Sequence, residues 1–135
     1  MTDLDKLGEE LLLLARAASK HAYSPYSQVK VGAVVVTDDG LTFTGCNVEN
    51  ASYGLTQCAE RNALAAAIVA GVEPGAIKTL LVFATGFETL SPCGACRQVM
   101  TELLAGDALI ISCSENKNSR QWTLDNLLPD PFVLE

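Results

Sequence analysis

The chain has 135 residues, 49% of them hydrophobic, with a formal net charge of −7 and a pI near 4.6. That length and apolar content suit one packed domain, while the acidic balance opposes binding to a polyanion, because nucleic-acid affinity rests largely on Lys and Arg neutralising phosphates. No signal peptide or transmembrane stretch is visible, and the odd count of five cysteines does not make a disulfide framework, so a cytoplasmic protein with neither nucleic acid nor membrane as partner is expected.

Leu4, Leu7, Leu11, Leu14 and Ala18 recur at helical spacing behind an N-cap at Thr2 or Asp3. The first element is therefore an amphipathic helix ending near Tyr23, with Pro25 as its stop. Val29 to Thr37 alternates and is β-branched, Asp38-Asp39-Gly40 signals a turn, and Leu41 to Cys46 returns as an antiparallel partner. From Cys58 to Ala70 an Ala-rich run without Gly or Pro predicts a strong helix ended by Gly71, and Thr79 to Ala84 reads as a short apolar strand. Cys93 to Leu104 makes the next helix, closed by Gly106, and Leu109 to Cys113 the next strand. Gln121 to Leu124 adds an edge strand before a helical turn over Asp125 to Leu128. With no repeat, low-complexity run or long linker, residues 1–135 read as a single domain. Strands joined by helices imply parallel pairing after the hairpin, hence an α/β fold with a mixed five-stranded sheet between two helical layers. Ligands in such sheets gather at the carboxyl ends of the strands, beside the helix N-termini.

Both helices that begin at cysteine carry chemistry. Cys58-Ala59-Glu60 and Pro92-Cys93-Gly94-Ala95-Cys96 offer three thiolates and one carboxylate. A structural zinc is normally closed by four protein ligands, whereas a catalytic one keeps three and leaves the fourth position for water. Cys58, Cys93 and Cys96 fit the open case for one Zn²⁺, and Glu60 is near the metal without being obliged to bind it, free to carry protons. Three thiolates put more negative charge on the metal than three imidazoles would. Arg61 and Arg97, each directly after a motif residue, and the positive ends of the two helices are candidates to offset it.

The run Ala22-Tyr23-Ser24-Pro25-Tyr26-Ser27, then Val31-Gly32-Ala33, then Gly45 through Tyr53, then Ser91-Pro92-Cys93-Gly94-Ala95-Cys96-Arg97-Gln98, and finally Leu127 through Phe132, resembles the short-chain zinc-dependent cytidine deaminases over nearly the whole chain. That resemblance implies a three-layer α/β/α fold of the cytidine deaminase type. It also implies hydrolytic deamination of cytidine and 2′-deoxycytidine in pyrimidine salvage. Position by position it makes Cys58, Cys93 and Cys96 the zinc ligands and Glu60 the acid/base that also meets N3 of the pyrimidine. It assigns Asn47 and Glu49 to the ribose 3′-hydroxyl, the Ala59 N–H to the base carbonyl O2, and the Ser91 carbonyl to the exocyclic amine. Tyr53 and Phe132 match positions that reach a neighbouring subunit's site in a homotetramer. The family's P-Y-S-x-F-x-V-G segment departs here, with Val29 where an aromatic packs beside the nucleoside. The loss of that ring keeps a modified cytosine nucleoside, substituted at N4 or C5, or an antibiotic built on cytosine, open as the substrate. The alternative of another class is a zinc-binding module without turnover.

Other residues have plainer readings. Cys46 and Cys113 are small hydrophobes with no redox role. His21, the single histidine, complements a helix C-terminus, and Trp122 belongs to core or interface rather than a stacking platform. Glu9-Glu10 and Asp38-Asp39 are a solvated helix face and a turn. Tyr26 is equally explained as active-site wall or as a contact under the first helix. A thioredoxin-like reading of Cys93 and Cys96 fails for want of that fold's pattern around them.

Overall fold

The computed structural model describes residues 3–134, with side chains from Lys6 onward. Thr2 lies outside the described residues, as do the side chains of Asp3 and Leu4 on which the expected N-cap and core contact would rest; Asp3 is the first residue of the helix. Five strands form one sheet: β1 (Val31–Thr37), β2 (Thr42–Cys46), β3 (Ile77–Ala84), β4 (Leu104–Ser114) and β5 (Ser119–Thr123), in the order β2-β1-β3-β4-β5. β1 and β2 make the antiparallel hairpin, turning through Gly40 at φ +88, where the left-handed conformation suits glycine. β1 also pairs antiparallel with β3, β3 pairs parallel with β4, and β5 closes the far edge antiparallel. The mixed sheet is the expected one.

Every residue of β1 is buried, because both faces of the sheet are covered. Val34 and Val36 point toward α1 (Asp3–Ser19) and meet Leu11, Ala15, Leu81 and Phe83. Val31, Ala33 and Val35 point to the other side, where they join Ala63, Leu64 and Ala67 of α2 (Ala59–Val69) and Cys96 and Met100 of α3 (Gly94–Leu103). A continuous β-branched run buried on both faces is what a parallel or mixed sheet between helical layers needs. Trp122 joins this second core, with the Arg120 guanidinium 4.8 Å from the centre of its ring, so the core reading of that residue holds. The short helix α4 (Leu124–Leu127) packs Leu124 and Leu127 at the same core. No helix among the described residues is long and apolar enough to cross a membrane.

Two glycines let helices sit close on the hairpin. A Cβ at Gly32 would fall 1.8 Å from the Ala15 carbonyl oxygen of α1, and one at Gly45 would fall 2.4 Å from the Ala63 nitrogen and 2.6 Å from the Ala59 oxygen of α2. Gly45 thus sets the depth at which the first turns of α2 lie on β2. Gly45→Ala is expected to destabilise the fold by about 3 kcal/mol, since backbone must shift to admit the methyl. Urea denaturation would show it, and a loss below about 0.5 kcal/mol would mean that α2 rides freely on the sheet.

The ends of two helices differ from the sequence reading. α1 stops at Ser19 rather than near Tyr23, and Pro25 is not its stop. The chain tightens through i→i−3 bonds at Lys20, His21 and Ala22, and then the Tyr23 N–H is taken by the Asn47 carbonyl at 3.0 Å. His21 therefore lies beyond the helix and is exposed. The buried stripe of α1 runs through Leu11, Ala15 and Ser19, leaving Leu7 and Leu14 more than a third exposed. Gly106 is not a helix stop. α3 passes directly into β4 at Leu104, because the Gly75 N–H caps the Leu103 carbonyl at 3.0 Å, and Gly106 falls in the irregular stretch of β4 between its pairings at Leu104 and Leu109. Gly71, by contrast, ends α2 at φ +94 as expected.

Candidate functional site

Cys58 and Cys93 are the N-cap residues of α2 and α3, both in extended backbone and neither using its side chain to cap the helix. Their sulfurs are left free, and the Cys58 and Cys93 Sγ atoms lie 3.8 Å apart. Cys96 sits one turn into α3, on the side facing α2, and all three sulfurs fall within 4.8 Å of one another. A tetrahedral zinc with bonds of about 2.3 Å holds its thiolates about 3.8 Å apart, so this donor set fits the metal in size as well as in chemistry. None of the five cysteines is in a disulfide.

Electrostatics favour thiolate at Cys58. The Cys96 thiol, and after it the Arg61 guanidinium, hold Cys58 well below the usual thiol range. The reciprocal contact with Cys58, followed by burial, pushes Cys96 up, so Cys58 gives up its proton first. Arg61 donates from Nη2 to the Cys58 sulfur at 3.4 Å, as the sequence suggested. Arg97 does something else. Its Nε donates to the Pro92 carbonyl at 2.7 Å, Nη1 to the Leu127 carbonyl at 2.7 Å, and Nη2 to the Ser91 hydroxyl at 2.6 Å. It clamps the segment entering α3 to the end of α4, and its bonds run to oxygens rather than to sulfur.

Glu60, in the first turn of α2, is 3% exposed, and burial pushes its carboxyl up to about 7. A carboxyl of that kind can hold or release a proton at neutral pH, as a general acid/base must. It lines a cavity of about 300 Å³ together with Val29, Asn47, Cys58, Ala59, Ser91 and Cys93. The volume is on the scale of a small-molecule site. The cavity opens where β2 and β3 end and β1 begins, at the N-termini of α2 and α3. A wider concavity, of about 930 Å³, lies between α1 and β4 on the opposite face of the sheet and holds none of the sequence-derived site residues.

Asn47 has a structural task at the cavity wall. Its Nδ2 donates to the Val29 carbonyl and its Oδ1 accepts from the Val31 N–H, each at 2.9 Å, so it fixes the segment leading into β1. Glu49 does not line the cavity. Its carboxylate accepts from the Tyr26 and Ser27 N–H groups at 3.0 and 3.1 Å and from the Ser27 hydroxyl, and these bonds, the hydroxyl above all, hold it below the ordinary carboxylate range. Tyr53 and Phe132 are 76% and 70% exposed and also stand outside this cavity. Tyr26 is half-exposed and lines neither concavity. Gln57, ahead of Cys58, is tied by two backbone bonds to Val48, and the Asn62 amide donates to the Cys46 carbonyl at 2.8 Å, which together anchor the start of α2 to the exit of β2.

Phe87 and Leu90 line the same cavity and were not singled out from the sequence. They lie on the loop between β3 and α3, ahead of the Pro-Cys motif. An apolar ring in a loop that begins with Gly86 in the left-handed conformation was the available signal.

Residues 5–112 match the family model described as the cytidine and deoxycytidylate deaminase zinc-binding region. The cytidine deaminase of Sporosarcina psychrophila is 39% identical over 94% of this chain and 92% of its own, and that of Halalkalibacterium halodurans 41% identical over 93% of each. Among solved structures, the cytidine deaminase from Burkholderia pseudomallei superposes with a TM-score of 0.89 at 45% identity, covering 98% of this chain and 100% of that one. The one from Mycobacterium tuberculosis gives 0.80 at 39% identity. With the match running through both cysteine motifs and the fold shared along nearly the whole chain, this protein belongs to the family of zinc-binding cytidine and deoxycytidylate deaminases.

Proposed function

We propose that the protein is a zinc-dependent hydrolase converting cytidine and 2′-deoxycytidine to uridine and 2′-deoxyuridine with release of ammonia. The observation that carries this reading is the buried Glu60 carboxyl beside three clustered sulfurs on the wall of a cavity sized for a nucleoside. Cys58, Cys93 and Cys96 would hold the zinc ion, which supplies a water acidified enough to act as a nucleophile near neutral pH. Glu60 accepts the proton lost by the water and passes it to N3 of the pyrimidine as oxygen adds at C4, then takes the proton of the C4 hydroxyl and gives it to the amine, so that the C4–N bond breaks as the C4 carbonyl forms. Arg61 stabilises the thiolate of Cys58. The Arg97 clamp keeps Ser91 and the Cys93 turn in place, so that the Ser91 carbonyl can receive the exocyclic amine. The Ala59 N–H, on the cavity wall at the positive end of α2, suits the base carbonyl O2. Asn47, on the cavity wall, is assigned to the ribose 3′-hydroxyl; Glu49, whose carboxylate is held by Tyr26 and Ser27 outside the cavity, shares that assignment on the resemblance alone.

The fitting biological setting is pyrimidine salvage in the cytoplasm, with a free nucleoside as substrate, since an acidic chain does not attract phosphates. The exposed Tyr53 and Phe132 rings support a homotetramer in which each reaches toward a neighbour's site. Light scattering is expected to give four times the mass of the 14.3 kDa chain, and a fully active monomer would contradict this. The deamination itself is tested by following the ultraviolet absorbance of cytidine with zinc-loaded protein.

A further inference from the structure

Phe87 is the single aromatic side chain among the described residues that line the cavity, and it is 48% exposed. Its position is built rather than loose. Beyond the last strand pair, Val31 with Ala84, the Lys30 N–H donates to Thr85 Oγ1 at 2.9 Å and the Thr85 N–H donates to the Lys30 carbonyl at 3.0 Å. The Gly86 N–H donates to Glu115 Oε1 at 3.2 Å, at a residue whose φ of +78 turns the chain. These bonds extend the β1–β3 register by one step, so Phe87 and Val29 leave the sheet on adjacent strands and reach the same cavity. Val29 is half-buried and small, and Leu90 completes this wall.

A planar pyrimidine bound with its reacting carbon near Glu60 and the sulfurs needs an apolar face to cover it. We propose that Phe87 supplies that face and is a specificity-determining residue for the base, with Val29 leaving the volume that the ring and the base occupy. This rests on the nucleoside reading of the cavity. A half-exposed ring has apolar area still to bury, and a ring against a π-system prefers the stacked or edge-on arrangement that a nucleobase offers.

Cytidine binding to zinc-loaded Glu60→Gln protein, measured by calorimetry, tests the proposal without depending on turnover. Adding Phe87→Ala to that background is expected to weaken binding about tenfold, with zinc content and thermal midpoint unchanged, since the ring carries no core packing. Val29→Phe added on top, returning a ring from the adjacent strand, is expected to recover at least about threefold of the loss. Binding that changes by less than about twofold in Phe87→Ala would overturn the role of Phe87, and failure of Val29→Phe to recover affinity would overturn the shared wall. Absence of cytidine binding in the Glu60→Gln background itself would overturn the nucleoside reading together with this inference, so the two failures are told apart.

Discussion

Glu60→Gln is expected to lower kcat on cytidine by at least about 10³-fold, while zinc content and nucleoside binding stay near those of the parent protein. The amide is nearly the same size as the carboxyl, so the buried site, 3% exposed at this residue, stays filled and no cavity opens. What disappears is the group proposed to carry the water proton to N3 and then the C4 hydroxyl proton to the leaving amine. A change confined to the moving proton is felt in the transition state and hardly in the ground state, which is why kcat falls and binding does not. Steady-state kinetics with metal analysis on the same sample check this. A variant retaining a tenth or more of the parent kcat would remove Glu60 from the proton path.

Cys96→Ala is expected to abolish stoichiometric zinc binding and to lower thermal stability together with activity. Cys96 is fully buried at the first turn of α3, where its sulfur completes the three-thiol cluster. Two thiols, Cys58 and Cys93, do not make a competent site for a metal that takes three protein ligands in its catalytic form. A ligand present at about a thousand times its Kd stabilises the folded state by about 4 kcal/mol, and for a domain of this size that corresponds to a drop in midpoint on the order of 10 °C when binding is lost. The parent protein treated with a chelator should fall by a similar amount, which separates the missing metal from the missing side chain. Retention of one zinc per chain in Cys96→Ala would contradict the ligand assignment.

The interior of the fold was legible because it is written in local periodicity. The unbroken Ala-rich stretch of α2 and the β-branched run of β1 needed no tertiary knowledge. The misplaced ends have one physical cause in common, a distant backbone group taking the place of the local stop. The Asn47 carbonyl draws Tyr23 out of α1, and the Gly75 N–H satisfies Leu103 so that α3 needs no glycine to end it. Neither partner can be inferred from the residues beside the break.

The metal cluster was legible for a different reason. Two of its three cysteines, Cys58 and Cys93, cap helices, and the spacing of Cys93 and Cys96 along one turn places both sulfurs on a single side. Arg97 shows where adjacency misleads: it follows Cys96 in sequence, yet its guanidinium is committed to Pro92, Ser91 and the Leu127 carbonyl, the last of which lies 30 residues away. Glu49, which the resemblance assigns to the ribose 3′-hydroxyl, stands outside the cavity, and its bonds to Tyr26 and Ser27 show a role in holding the preceding loop that no local pattern announces. Phe87 stayed hidden because its significance comes from the Lys30–Thr85 pairing, which brings it beside Val29 only once the sheet has formed.

The most direct test of the central claim is an ultraviolet assay of cytidine with the purified protein in three states: as zinc-loaded, after removal of metal by a chelator, and after zinc is returned. The account predicts conversion of cytidine to uridine with one ammonia released per nucleoside, loss of turnover on chelation, and recovery with zinc. A protein that holds zinc in the three-cysteine site and binds cytidine yet releases no ammonia would contradict it.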